Sequence, residues 1–139
     1  MKKQLTFTLQ LCFVLAAGLV LSACTGQEST HQSAATDFAG EYALVSVDGN
    51  PVPAKVTHEG AAIEVRSGTF TIHADGTCGT KTVFVPPSGT EVTREVSATY
   101  TKEGPKLTMQ WKGAGTTVGT IEGNTFTMNN EGMVFVYKK

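Results

Sequence analysis

From Phe38 onward, apolar and polar residues change places with a period of two. In SGTFTIHA, Phe70, Ile72 and Ala74 alternate with Thr69, Thr71 and His73. KLTMQWK sets Leu107, Met109 and Trp111 against Thr108, Gln110 and Lys112, and NTFTMNN sets Phe126 and Met128 against Thr125, Thr127 and Asn129. Such alternation, rich in Thr, Val and aromatics, marks strands with one face buried and one wet. The spacing predicts strands over 41–47, 61–66, 68–74, 77–85, 91–102, 106–111, 116–121 and 124–138, the last broken into a hairpin at Glu131-Gly132. Acid-glycine pairs punctuate them at Asp48-Gly49, Glu59-Gly60, Asp75-Gly76, Glu103-Gly104 and Glu122-Gly123, and PPSG at Pro86 to Gly89 divides the longest interval. Outside the N-terminal segment no window carries a 3.6-residue apolar stripe. Tight turns make neighbouring strands antiparallel, so the expected fold is all-β: a meander of about eight strands closing into a small barrel, which hides its edges.

The inward faces of such a barrel bring Phe70, Tyr100, Met109, Trp111, Phe126, Met128 and Phe135 to one interior. They are the candidate ligand-lining residues. The inside of an eight-stranded barrel is either filled by side chains or holds one small ligand. Short strands with so many large residues favour filling; a partial pocket at an open end is the other outcome, lined by aromatics and flexible Met. Trp111 ends the cleanest alternating strand, just before KGAG, which places it near one mouth.

The first residues read differently. Lys2 and Lys3 precede an uncharged apolar run from Leu11 to Leu21. As a helix that run would span roughly 16 Å, against a hydrocarbon core of about 30 Å, which suits a signal-peptide core rather than a span. Leu21-Ser22-Ala23-Cys24 resembles the bacterial lipobox. The resemblance implies a leader over 1–23 that is removed, a diacylglycerol thioether on the Cys24 sulfur, and acylation of the new amine. Two or three acyl chains make a lasting membrane anchor where one is marginal. By the sorting pattern of enteric lipoproteins, Thr25 in place of Asp implies the outer membrane, with the protein facing the periplasm or the cell surface. From Cys24 to Asp37 the chain has no large apolar residue and reads as a flexible tether with a reach of about 20 Å. The domain then runs over 38–139.

That domain opens with FAGEYALVSVDGNPVP and closes with FVYKK. Gly40-x-Tyr42 on a first strand resembles the lipocalin (calycin) plan, in which Gly-x-Trp packs at the barrel base beneath a basic residue from near the C-terminus. The resemblance implies that role for Gly40 and Tyr42, with Lys138 as the basic partner. A second resemblance, to small β-rich envelope lipoproteins of the META-domain type, implies envelope maintenance.

Charge removes some functions. Lys and Arg number 11 against 12 Asp and Glu, and loss of Lys2 and Lys3 with the leader takes the formal charge from −1 to −3. A phosphate-seeking surface, and with it a nucleic-acid partner, is not indicated. Of 3 cysteines, Cys12 leaves with the leader and Cys24 is modified, so Cys78 has no partner for a bridge. HADGTC gathers His73, Asp75 and Cys78 around a turn. In one register His73 faces Cys78 across the strands, as a His⁺–thiolate pair would require; in the other Cys78 pairs with Ile72 and points inward. GAGTTVG (Gly113 to Gly119) lacks the following helix that a phosphate loop needs. Glu91, Arg94 and Glu95 read as solubilising charges on an edge or outer face. No catalytic or metal-ligating set is complete, and no cofactor is called for. The sequence therefore points to a binding role without enzymatic activity. Its partner is a small apolar or amphipathic ligand, or another envelope protein.

Overall fold

In the computed structural model, which describes residues 37–139, the alternating segments form ten antiparallel strands in one sheet. They are β1 (Gly40–Val47), β2 (Asn50–Pro51), β3 (Ala54–His58), β4 (Ala61–Ile72), β5 (Thr77–Val85), β6 (Val92–Glu103), β7 (Lys106–Trp111), β8 (Gly115–Glu122), β9 (Thr125–Asn130) and β10 (Met133–Lys138). From β4 to β10 each strand pairs with the next. β10 pairs back to β1 and β1 pairs with β4, which closes an eight-strand barrel. Strands β7 and β9 present Leu107, Met109, Trp111, Phe126 and Met128 to the interior, all buried, as their alternation predicts. The expected leader over 1–23 with Cys12, the Cys24 expected to be lipidated, and the expected tether up to residue 36 lie outside the described residues.

Three departures from the expected strands have physical reasons. The segments expected at 61–66 and 68–74 are one strand, β4, whose register against β5 shifts between Val65 and Ser67. That bulge breaks the two-residue period, so one strand reads as two. The short β2 and β3 were not expected. Pro51 ends β2 and Pro53 lies in the connection to β3, and Pro in a run argues against a strand. Here β2 and β3 are edge strands, where a missing ladder donor is tolerated.

The ring is not closed evenly. β1 pairs with β4 from Gly40↔Ile72 to Ala43↔Thr69 and no further. Beyond that point β1 bulges between Leu44 and Ser46 and pairs with β2, while the far half of β4 pairs with β3. A Cβ on Gly68 would stand 3.2 Å from Leu44 Cδ2, so the absent side chain gives Leu44 its place where the two strands part. Buried Ala54 and Val56 of β3 fill the resulting seam.

At the seam's closed end the barrel has a floor. Residues 37–39 cross beneath it, and Tyr42 Oη donates to Phe38 O at 2.6 Å. Lys139 Nζ donates to Asp37 O at 2.8 Å and Ala39 O at 2.6 Å, and lies 5.8 Å from the Tyr42 ring centre. The basic partner of Tyr42 is thus Lys139, not Lys138. On β10 the inward positions are Met133, Phe135 and Tyr137, so Lys138 alternates outward and is exposed. Phe38 meets Tyr100 edge-on at 6.2 Å, with Lys102 Nζ 4.8 Å above its ring.

Above the floor lies a packed aromatic layer. Phe70 and Phe126 stack tilted at 4.3 Å between ring centres, Tyr137 lies 5.7 Å from Phe70, and Tyr42 meets Phe126 edge-on at 6.4 Å. Full burial of each such ring stabilises the fold by roughly 1.5–3 kcal/mol, with about 0.5–1.5 kcal/mol more for each well-placed pair.

Candidate functional site

Over that aromatic layer, at the end away from the floor, the barrel interior is open. The cavity measures about 590 Å³. Its apolar wall includes Trp111 from the end of β7, Met128 from β9 and Phe135 from β10. Trp111 is held by a hydrogen-bond relay within the wall. Its Nε1 donates to Thr117 Oγ1 at 2.8 Å, and that hydroxyl donates to Asn130 Oδ1 at 2.9 Å. A buried indole N–H without a partner would cost about 1–3 kcal/mol, so the relay fixes the ring with no such penalty.

The seven expected lining residues fall in three places. Trp111, Met128 and Phe135 line the cavity. Phe70, Met109 and Phe126 lie in the layer beneath and are completely buried. Tyr100 belongs to neither: its ring packs on Phe38 at the floor, and its hydroxyl donates to His73 O. The interior is therefore filled below and hollow above, where filling throughout was the favoured expectation.

Sequence reasoning passed over the polar half of the wall. Thr80 and Thr82 of β5, Thr117, Asn130 and Arg94 line the same cavity. The expectation of an outer-face Arg94 is overturned by the register. Cys78 pairs with Ala98 and Thr82 with Arg94, which puts Arg94 in phase with the inward Ala98. Glu95, one residue on, is the outward one and meets Lys81 on the outside at 3.1 Å. The signal was present in the sequence: counting back by twos from Tyr100 through Ala98 and Val96 reaches Arg94. At the rim His58 Nε2 lies 3.4 Å from Glu131 Oε2, joining β3 to the β9–β10 turn.

The HADGTC turn takes the second of its two registers, Ile72↔Cys78. Asp75 Oδ1 accepts from Thr77 N at 2.9 Å and from Thr77 Oγ1 at 2.6 Å, bonds that favour the carboxylate and hold its pKa below the usual range. Burial pushes the Cys78 thiol up to about 12. Cys78 is thus an inward, protonated hydrophobe, while His73 is exposed. GAGTTVG continues into strand β8. A second concavity, about 890 Å³ and more open, is lined by outward-facing residues of β5 to β7 such as Lys81, Glu95, Ser97 and Gln110.

No protein-family model and no curated protein matches the chain. Among solved structures it is similar to the crystal structure of a lipocalin-like protein from Bacteroides uniformis, with 13% identity, a TM-score of 0.44, and coverage of 74% of this chain and 98% of that one. The barrel itself is defined by its strand pairing, independently of that likeness.

Proposed function

We propose that the protein is a lipid-anchored envelope lipoprotein whose barrel is a non-catalytic, lipocalin-like binding domain for a small apolar or amphipathic molecule. The observation that carries the binding half is the interior cavity of about 590 Å³. It falls within the roughly 300–1,000 Å³ typical of small-molecule sites, and combines an apolar wall with a few placed polar groups. The anchor half rests on Leu21-Ser22-Ala23-Cys24 and the charged, apolar run before it. Attachment at Cys24 in the outer membrane, facing the periplasm or the cell surface, belongs to this reading. A second reading, an envelope-maintenance lipoprotein that contacts another protein, is favoured by the packed lower half of the barrel.

Native mass spectrometry of the protein purified from its own envelope separates the two. A retained small molecule supports the carrier, whereas a bound protein over an empty cavity supports the second reading. Trp111, the chain's 1 tryptophan, reports on the wall: its emission should be blue-shifted and should change on titration with apolar ligands. Cys24→Ala should abolish membrane association and leave a soluble, folded product or an uncleaved precursor, because the tether offers no other apolar group to hold a bilayer. Acyl labelling that persists in this variant would exclude the lipobox assignment.

A further inference from the structure

Of the charged side chains around the cavity, His58 and Glu131 pair with each other, and Glu59 and Arg94 are in no ion pair. The outward pairs Lys81–Glu95 and Arg66–Glu64 lie away from the interior. Arg94 lines the cavity, and among the described residues no carboxylate comes within salt-bridge distance of it. Among those residues no side-chain hydrogen bond ties its guanidinium down either. An exposed arginine at the rim of a cavity with one apolar wall presents a planar fork of donors matched to a carboxylate.

We infer that the ligand is a carboxylate-bearing amphiphile, its head group on Arg94 and its apolar tail running down the wall to Trp111, Met128 and Phe135. The inference rests on the cavity being a ligand site. The register sets the spacing: Arg94 stands four residues along β6 from Ala98, the partner of Trp111. At about 3.3 Å per residue that is roughly 13 Å from rim to Trp111, enough for a tail to lie between them. Thr82, paired with Arg94, and Thr80 below it add hydroxyl donors on the same side. The other side of the rim carries Glu59 and Glu131. Their charge repels an anionic head and so selects the Arg94 side. A single unpaired cation suits a singly charged carboxylate better than a phosphate dianion, which would call for more than one.

The test titrates the purified protein with dodecanoate and with dodecanol, which share a tail and differ in the charged head. Binding is read by Trp111 emission and by calorimetry at neutral pH. Dodecanoate should bind more tightly than dodecanol. Arg94→Gln should weaken dodecanoate about tenfold, the worth of one charge-assisted contact, and leave dodecanol unchanged. Arg94→Lys should keep part of the preference, and added salt should shrink it, because the contact is exposed. If dodecanol binds but Arg94→Gln leaves dodecanoate unaffected, or weakens both ligands equally, the charge inference falls and the cavity reading stands. If neither amphiphile binds the unaltered protein, both fall.

Discussion

Inside the barrel, Cys78 sits between Ile72 on β4 and Ala98 on β6, where a polar atom finds no water. Replacing it with serine puts a hydroxyl in that place, and Cys78→Ser should cost about 1–3 kcal/mol in chemical denaturation. In the folded protein, alkylation of the Cys78 peptide by iodoacetamide should be slow at neutral pH, since the thiolate is the nucleophile. The same burial links the residue to alkaline stability. The thiol titrates near 9 when unburied and at about 12 in the fold. Over that interval the unfolded chain loses a proton that the folded one keeps, so this group lowers stability as pH rises. Cys78→Ala should make the fall between pH 9 and about 12 shallower. The choice of register around this residue was not legible in HADGTC. Both registers leave His73 outward, so alternation is silent; the deciding force is the pair of bonds from Thr77 to Asp75.

Among the strands, β8 and β9 show how an absent side chain serves packing. Gly119 on β8 pairs with Met128, and the Phe126 ring lies across it. A Cβ there would clash with the edge of the Phe126 ring and stand 3.0 Å from Thr127 O, and the backbone cannot yield as a side-chain end can. Gly119→Ala should therefore destabilise the fold by about 1–3 kcal/mol. In a Phe126→Leu background the same substitution should cost at least about 1 kcal/mol less. Equal costs in both backgrounds would show that the ring is not what the methyl meets. The strands themselves were largely readable, because a face against a core and a face against water impose a period of two. The hairpin at Glu131-Gly132 separates β9 from β10 as its turn signal indicates. Legibility failed where period and backbone disagree. The bulge in β4 shifts the phase, and in β3 the alternation of Ala54, Val56 and His58 is short and follows directly on a proline.

At the scale of the whole molecule, the barrel divides into a plugged floor and a hollow upper half. Ligand should be felt at one end alone. Amide resonances of Thr80, Thr82, Thr117 and Asn130 should shift on addition of dodecanoate, while those of Phe38, Tyr42 and Lys139 stay in place. Shifts spread evenly over both ends would argue against a seated ligand. The apolar part of this site was legible as an inward-facing set, but its division into floor, packed layer and cavity was not. Alternation tells which side of the sheet a residue faces; height along the barrel depends on the stagger of every neighbouring strand. Arg94 was missed for a related reason. A charge is ordinarily assigned to solvent, and an inward position at a rim satisfies both the alternation and the need for water.

One further consequence comes from the floor, where Lys139 Nζ reaches the carbonyls of Asp37 and Ala39. The two ends of the described chain meet there, and β1 bonds to β10 along most of its length. Around the ring, then, no strand is first. A circular permutant that joins the ends through a short glycine linker and begins anew in the 86–90 connection should keep every ladder. It should fold with the same near-ultraviolet circular dichroism. The loop chosen lies at the rim, so the relocated ends would stand beside the mouth, whereas in the natural order a fusion partner attached after Lys139 leaves the mouth clear.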